Sequence, residues 1–324
     1  MASVLKRRQV LAGIGAVGIG GIGAAIFARG AETAPPPAPA APLSQKRVPQ
    51  KLGAFVGGAA ESNAKAMEAW LGRPLDFVQD YGDEFELATN TFRFDQWPAY
   101  RKISLSQPLS SKHGWDLAQA AAGHYDGLYQ TCADNLKRVR DRLISVRIGW
   151  EMNGGWMPWS QGGPGSNQKP EHYIAAFRRM AKMVRAAVPG VPIDWCPNFD
   201  KPSEQFYPGN AYVDIIGVDL YLNKEYFPDS WNFVLEAPSG LNWLEQFAQT
   251  RDKLISFPEW ATNYDSDSFV KNMYEWMKNR PVAYQAYWND DNAFVGSFDH
   301  YPKVKAAYLK AWGRAQKKPA PSAG

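Results

Sequence analysis

The sequence predicts a single (β/α)8 TIM barrel, a closed ring of eight parallel strands with helices on its outside. Eight short strand-like runs follow one another along the chain, and helical patterns lie between most of them. Strict alternation of strand and helix is typical of a parallel sheet covered by helices. About 270 of the 324 residues remain after an N-terminal leader and spacer, and such a barrel typically needs about 250. Eight repeats favour closure of the ring over an open sheet.

The strands are predicted from short runs of apolar and β-branched residues. They are expected near residues 52–57, 76–79, 102–106, 144–150, 192–197, 213–220, 254–257 and 282–287. An open dinucleotide-binding sheet would place a G-x-G-x-x-G turn after the first strand. The glycines at 53, 57 and 58 do not follow that order, which disfavours the open sheet.

The helices are predicted from apolar residues at helical spacing. One stripe contains Tyr173, Phe177, Met180 and Val184, with Pro170 at its start and Pro189-Gly190 at its end. Further stripes lie within 241–247, after a possible cap at Ser239, within 269–277, and over 301–313. All of them are expected to face the core and carry no chemistry.

The chain divides into four predicted segments. Residues 1–33 contain Lys6-Arg7-Arg8 before a Gly/Ala-rich apolar run at 10–27, which is typical either of a twin-arginine-like export signal or of an uncleaved membrane anchor. Residues 34–50 form a Pro/Ala-rich linker, 51–313 the barrel, and 314–324 a disordered tail. We therefore expect an exported protein, periplasmic or secreted, with membrane contact only through its N-terminal segment.

Composition excludes several classes of function. The formal net charge is +4, and the leader holds a surplus of three cationic residues, so the rest of the chain is near +1. A nucleic-acid partner would require a basic patch. The four histidines show no metal-ligand spacing, so neither a metal nor an organic cofactor is expected. Cys132 lies in a predicted helix and Cys196 points into the predicted barrel, so a disulfide is not expected. We expect a monomer.

Two glutamates are the most informative residues. Glu151 and Glu259 each follow a short apolar run, and each is next to tryptophan. Their separation corresponds to about three βα units of roughly 30 residues each, as expected for strands 4 and 7. Active sites of such barrels lie at the carboxyl ends of the strands. Two carboxylates at that rim, among aromatic side chains, are suited to cleaving a glycosidic bond.

The alternation of side chains along strand 4 places Arg147 and Glu151 on the face toward the barrel interior. An arginine buried there needs an acidic partner. Asp219, of inward parity on strand 6, is the candidate. Arg147 and Asp219 are then either supporting residues of the site or a purely structural ion pair.

Two long loops are rich in aromatic residues. Residues 153–169 contain Trp156 and Trp159, and residues 222–242 contain Tyr226, Phe227, Trp231 and Phe233. Loops after barrel strands lie on the active face. Each ring is therefore either part of a sugar-binding subsite or part of a small local core beneath its loop.

The segment R-I-G-W-E-M-N-G-G-W at 147–156 resembles the acid/base motif of glycoside hydrolase family 26. That is a family of retaining (β/α)8 enzymes best known as β-mannanases, with some β-1,3-xylanases and lichenases. The resemblance extends over roughly residues 50–313. It implies that Glu151 is the catalytic acid/base and Glu259 the catalytic nucleophile. It also implies that Tyr221 hydrogen-bonds the nucleophile and that Trp156 and Trp288 line the sugar subsite.

Further residues at the predicted strand ends complete the candidate substrate-binding set, which comprises Trp150, Asn153, Trp156, Asn198, Tyr221, Trp260 and Trp288. Asn198 is either a sugar contact or a residue that shapes the turn after its strand. Trp150 departs from the family pattern, which usually has histidine before the acid/base. An indole has one donor and no acceptor, so this position leaves the identity of the glycan open.

These observations predict a retaining, endo-acting hydrolase of a β-linked polysaccharide, either a β-mannan-like glycan or a bacterial exopolysaccharide. Two alternatives remain at this stage: a non-catalytic glycan-binding barrel, and a transglycosylase linked to polysaccharide export. A binding barrel would need the aromatic rings but not both glutamates, whereas a transglycosylase would use the same two acids.

Overall fold

The computed structural model describes residues 49–113, 116–161 and 169–314. The strands are β1 (Lys51–Phe55), β2 (Phe77–Tyr81), β3 (Ile103–Gln107), β4 (Leu143–Ile148), β5 (Ile193–Trp195), β6 (Ile215–Gly217), β7 (Leu220–Leu222), β8 (Leu254–Thr262) and β9 (Val282–Trp288). The helices are α1 (Glu61–Leu71), α2 (Phe92–Gln96), α3 (Leu117–Ala122), α4 (Asp126–Arg138), α5 (Pro170–Ala187), α6 (Trp231–Glu236), α7 (Leu241–Gln249), α8 (Asp267–Lys278) and α9 (Pro302–Trp312).

The nine strand segments form a closed eight-stranded parallel barrel. Strands β1 to β6 pair in order, β9 pairs with β1, and β8 pairs with β9. Both β6 and β7 pair with β8, so they are two halves of the sixth barrel strand. Asn198 and Asp219 form an isolated parallel bridge where that strand is interrupted. The predicted fold class is confirmed.

The strand containing Glu259 differs most from its prediction. β8 runs to Thr262 rather than ending near residue 257, and its register against β9 shifts between Phe257 and Trp260. The Ser256 hydroxyl points into the barrel, where it donates to Asp194 at 2.5 Å, and Phe257 points outward against α8. Strict alternation would then turn Glu259 outward. The extra residue at this bulge returns Glu259 to the interior.

The predicted helices α5, α7, α8 and α9 are confirmed. Pro170 is the first residue of α5, where its missing N–H costs no hydrogen bond. The cap of α7 is Gly240 rather than Ser239. The Ser239 hydroxyl instead donates to the Lys201 carbonyl at 2.7 Å. A short helix that was not predicted, α6, lies within the aromatic loop after the sixth strand.

The amino-terminal half of the barrel interior is tightly filled. The Phe77 ring occupies the space where any side chain at Gly53 would lie, and it contacts the Tyr284 ring edge-on at 5.4 Å. Asp194 is buried beside Tyr284 and Ser256, and burial raises its pKa to about 6 although both hydroxyls donate to it. A packed floor of this kind confines any ligand to the opposite, carboxyl end of the strands.

The predicted leader and tail lie outside the described residues, as does the linker up to residue 48. Across the part of the chain that is described, none of the helices combines the length and hydropathy needed for a membrane span. Both cysteines are buried free thiols. Cys132 donates to the Leu87 carbonyl outside the barrel, whereas Cys196 lies inside it, 3.3 Å from Asp219.

Candidate active site

Glu151 and Glu259 both point into the barrel at the carboxyl ends of its strands. Glu151 follows β4, and Glu259 lies in the second half of β8. Their side chains are almost completely buried, at 1% and 3% exposure. Buried carboxylates require hydrogen-bonding or charged partners, and the two glutamates obtain them in different ways.

Glu259 is held by a cation. Arg147 donates from Nη2 to Oε1 of Glu259, and the Tyr221 hydroxyl donates to Oε2 at 2.5 Å. The Nη1 of Arg147 lies 2.6 Å from both carboxylate oxygens of Asp219, and its Nε donates to the Ser106 hydroxyl at 2.8 Å. The predicted pairing of Arg147 with Asp219 is confirmed. Because the same guanidinium holds Glu259, this ion pair is part of the site and not only of the core.

The electrostatics of this cluster favour an ionised Glu259. Burial alone would raise the pKa of Glu259, but the charge of Arg147 and hydrogen bonds from Arg147 and the Tyr221 hydroxyl outweigh burial and lower that pKa. Burial also raises the pKa of Asp219 well above its usual value, with Arg147 opposing the rise. We assign the charge to Glu259 because a guanidinium N–H and a hydroxyl donate to its separate carboxylate oxygens, whereas the two oxygens of Asp219 share the single Nη1 group of Arg147. Glu259 therefore carries the negative charge that a nucleophile needs.

The described hydrogen bonds to the Glu151 side chain come from neutral donors. The Trp156 indole donates to Oε2 at 2.6 Å, and the Asn198 amide donates to Oε1 at 3.0 Å. Its backbone has φ of +51°, a left-handed conformation that costs a non-glycine residue on the order of 1–3 kcal/mol. Strain of this kind persists only where surrounding contacts impose it. The structure thus brings Trp156 and Asn198 to one of the two predicted catalytic residues.

Asn153 holds the loop that carries Asn198. Its amide donates to the carbonyls of Asn198 and Lys201, both at 2.8 Å, and its Oδ1 accepts the Asn198 backbone N–H at 2.9 Å. These bonds use the amide of Asn153 within the protein. The structure therefore favours a role in shaping the site over the predicted substrate contact.

Trp288 and Tyr221 lie together on the Glu259 side of the site. The Trp288 ring stacks on Phe55 with centroids 4.1 Å apart and meets Tyr221 edge-on at 5.9 Å. Its indole donates to the Phe294 carbonyl at 3.2 Å. Trp156, on the Glu151 side, is partly buried beneath Lys201, whose ammonium lies 5.1 Å from the ring centroid. Aromatic rings therefore flank both glutamates.

Two predicted substrate contacts are covered by other side chains. Trp260 is fully buried on the outside of the barrel, against Tyr287 and Trp312, with its indole donating to Gln285 at 2.6 Å. Because Glu259 points inward, the next side chain points outward, and the prediction for Trp260 is wrong. Trp150 is only 1% exposed, which leaves almost no surface for a sugar, and its contacts are with neighbouring side chains.

In the two long aromatic loops, more of the rings pack within the protein than lie open to solvent. Trp159 is fully buried, and Phe227 and Phe233 pack with Phe199 at centroid distances of 5.0 to 6.1 Å. Tyr226 remains 61% exposed. Residues 162–168 of the first loop lie outside the described part of the chain.

Three residues of the site were not predicted. Tyr81 ends β2 and approaches Glu259, Ser106 receives a hydrogen bond from Arg147, and Lys201 covers Trp156. Extending predicted strand 2 by two residues would have placed Tyr81 at the rim. Ser106 closes predicted strand 3, but nothing in its sequence context distinguishes it. Within the described residues, no cluster of histidine, cysteine and carboxylate side chains could hold a metal ion.

The site lies in an eight-stranded barrel, with glutamates at the ends of strands 4 and 7 and an arginine paired with one of them. These are the features of a glycoside hydrolase that uses two carboxylates. A model of glycosyl hydrolase family 26 matches residues 115–252, which include Glu151 and end before Glu259. This match, over less than half of the chain, and the distant relatives below support the resemblance to glycosyl hydrolase family 26.

The relatives are distant. Endoglucanase H of Acetivibrio thermocellus is 27% identical over 179 residues, or 53% of this chain and 20% of the relative. A mannan endo-1,4-beta-mannosidase of Bacillus subtilis is 31% identical over 110 residues, or 31% of this chain and 30% of the relative. The chain thus spans less than a third of the length of either relative.

Solved structures support the fold. The catalytic domain of the family 26 endo-beta-1,4-mannanase of Bacillus sp. JAMB-750 superimposes with a TM-score of 0.59 at 16% identity, covering 82% of this chain and 87% of that one. Glu259 lies beyond the residues that the family model matches, so its position is known here from the barrel itself.

Proposed function

We propose that this protein is a retaining, endo-acting glycoside hydrolase that cleaves a β-linked polysaccharide by double displacement. The observation that carries the proposal is the unequal support of two buried glutamates at one rim. Glu259 is paired with a guanidinium, and the described hydrogen bonds to Glu151 come from an indole and an amide. Pairs of carboxyl groups with different surroundings divide into an acid and a base or nucleophile.

In the first step, a carboxylate oxygen of Glu259 bonds to the anomeric carbon while the bond from that carbon to the leaving sugar oxygen breaks. Glu151 gives its proton to that oxygen. In the second step, Glu151 removes a proton from water, and the water oxygen displaces Glu259 from the anomeric carbon. Two inversions give net retention, and both glutamates return to their starting protonation states.

A β-1,4-linked glycan is the proposed substrate class, with β-mannan as the first candidate and bacterial exopolysaccharides as the second. The names of the relatives support this choice, since one is a mannan endo-1,4-beta-mannosidase and another an endoglucanase. We further propose that the protein acts outside the cytoplasm, in the periplasm or as a secreted protein, because Lys6-Arg7-Arg8 precedes an apolar run. Cell fractionation with and without this segment tests that location.

The decisive experiment is a reducing-end release screen on mannans, xylans, mixed-linkage glucans and bacterial exopolysaccharides, with Glu259→Gln as the isosteric control. We expect release from one glycan class and none with the variant. Release by both proteins would contradict the assignment of Glu259. If neither protein cleaves any of these glycans but both are retarded by one of them in affinity gels, the barrel is a glycan-binding module. Lengthened products with an acceptor sugar would indicate a transglycosylase.

A further inference from the structure

Trp150 is linked to both glutamates, and its own surface is almost entirely covered. It directly precedes Glu151 in the chain. Its ring lies 5.2 Å from the guanidinium carbon of Arg147, the residue that holds Glu259. A side chain linked in this way to both carboxylates, but screened from solvent, acts through its neighbours.

The contact with Arg147 is part of a three-membered cluster. The Tyr81 ring lies 5.8 Å from the same guanidinium carbon and 5.4 Å from the Trp150 ring. Indole is the best of the aromatic partners for a cation, and this attraction is strongest where water is excluded. Arg147 is itself fully buried. The rings therefore restrict the direction in which the guanidinium presents its N–H groups to Glu259.

The backbone of Trp150 is fixed as well. The Trp159 indole donates to the Trp150 carbonyl at 2.6 Å, and the two rings meet edge-on at 4.7 Å. Gly149 and Glu151, on either side of Trp150, both have φ of +51°. The bond from Trp159 thus holds the middle of a kink that aims Glu151 into the barrel.

We propose that Trp150 is a positioning residue that couples the two glutamates, holding Arg147 against Glu259 through its ring and Glu151 in its strained conformation through its backbone. The inference rests on the proposed function for its effect on catalysis. Its effect on the ionisation of Glu259 is independent of any substrate.

Several other groups also influence Glu259, and none of them is mutated in the test. They are Arg147 on β4, Tyr81 on β2, Tyr221 on β7, Asp219 between β6 and β7, and the Glu84–Lys112 pair on the loops after β2 and β3. Of these, Arg147 is the cation in direct contact. A less firmly held guanidinium stabilises the carboxylate less, which raises the pKa of Glu259.

The test compares Trp150→Phe and Trp150→Leu with Trp276→Leu in the full chain. Trp276 is a buried tryptophan of α8 that contacts Phe257 and Arg280, outside the barrel interior. The titration of Glu259 is followed by carbon-13 NMR of labelled carboxyl groups and assigned with Glu259→Gln. We expect the midpoint to rise in the order wild type, Trp150→Phe, Trp150→Leu, by roughly one pH unit at the end of the series, and to be unchanged in Trp276→Leu.

Catalysis supplies the second readout. On a glycan that the wild type cleaves, Trp150→Leu should lower kcat about tenfold or more with little change in KM, because no substrate-facing surface is lost. Unchanged Glu259 midpoints in both Trp150 variants overturn the proposal. If Trp150→Leu does not fold, Trp150→Phe gives the same decision. If the wild type cleaves no glycan, the proposed hydrolase fails, while the NMR titration still decides the role of Trp150.

Discussion

Glu259 and Glu151 are equally buried and face the same space, yet the protein supports them differently. Glu259 is held by groups on strands, chiefly Arg147 of β4 and Tyr221 of β7. Glu151 is held by Trp156 and Asn198, which lie on the loops after β4 and β5. A fixed positive charge suits a carboxylate that must stay ionised. Neutral donors on loops suit one that must gain and lose a proton.

The two supports also differ in what they cost. The Arg147 cluster buries a guanidinium and two carboxylates, and such a cluster is stable only when every partner is present. The Glu151 support requires a strained backbone instead. Mutations on the Glu259 side are therefore expected to affect stability and chemistry together, whereas mutations of the Glu151 donors should affect chemistry more selectively.

The sharpest test of this comparison removes each carboxyl group. We expect Glu259→Ala to lower kcat by several orders of magnitude on every substrate, because no nucleophile remains. Glu151→Ala should lower kcat by about 10²- to 10⁴-fold on polysaccharide. Its first step should be affected far less on aryl glycosides whose phenolate leaves without a proton. Steady-state rates on both substrate types measure the difference.

Azide distinguishes the two roles independently of rate. In Glu259→Ala it should attack once and give a glycosyl azide of inverted configuration, whereas in Glu151→Ala it should replace water in the second step and give retained configuration. Identical azide products from the two variants would contradict the assignment of different roles.

The next largest effect is expected from Arg147→Met. Removing the guanidinium leaves Asp219 and Glu259 buried without their cation, which should cost about 3–5 kcal/mol of unfolding free energy as well as most of the activity. Denaturant unfolding and the initial rate measure the two losses. Arg101→Met is the control, because Arg101 is a buried arginine paired with Glu61 and Glu68 before β3 begins. Comparable loss of activity in both variants would show that general destabilisation explains the effect.

A smaller change is expected from Tyr221→Phe, which removes one donor to Glu259 without removing the ring. Hydrogen bonds to charged groups contribute about 1.5–3 kcal/mol. Because this donor favours the ionised carboxyl, its loss raises the pKa of Glu259, and the acidic limb of the kcat/KM profile should move up by about one pH unit. A limb that stays in place would show that the Tyr221 hydroxyl does not contribute to the ionisation of Glu259.

The smallest effect on catalysis is expected from Trp260→Phe, although Trp260 is next to Glu259 in the chain. Its ring packs outside the barrel, and the substitution leaves Gln285 without its indole donor. We expect a loss of about 1–3 kcal/mol of unfolding free energy, with kcat and KM near those of the wild type. A selective rise in KM would indicate that Trp260 does contact the substrate.

Much of this arrangement was accessible from local sequence. Strand and helix periods gave the eight-stranded barrel, and spacing placed Glu151 and Glu259 near the ends of strands 4 and 7. The alternation of side chains along the strands gave the pairing of Arg147 with Asp219, because an arginine on the inner face of a strand needs a buried carboxylate opposite it. These features depend on residues close together in the chain or on a single strong requirement of charge.

Other features were decided only by tertiary contacts. The bulge between Phe257 and Trp260 turns Glu259 inward and Trp260 outward, because its register depends on pairing with β9. Trp156 and Asn198 reach Glu151 from loops whose paths the local sequence pattern does not specify, and Asn153 holds the loop that carries Asn198. Trp150 lies against Arg147 because the kink at residues 149–151 directs it there. The sequence alone predicted the two glutamates and the charge pair beside them, and long-range packing determined which way each side chain points.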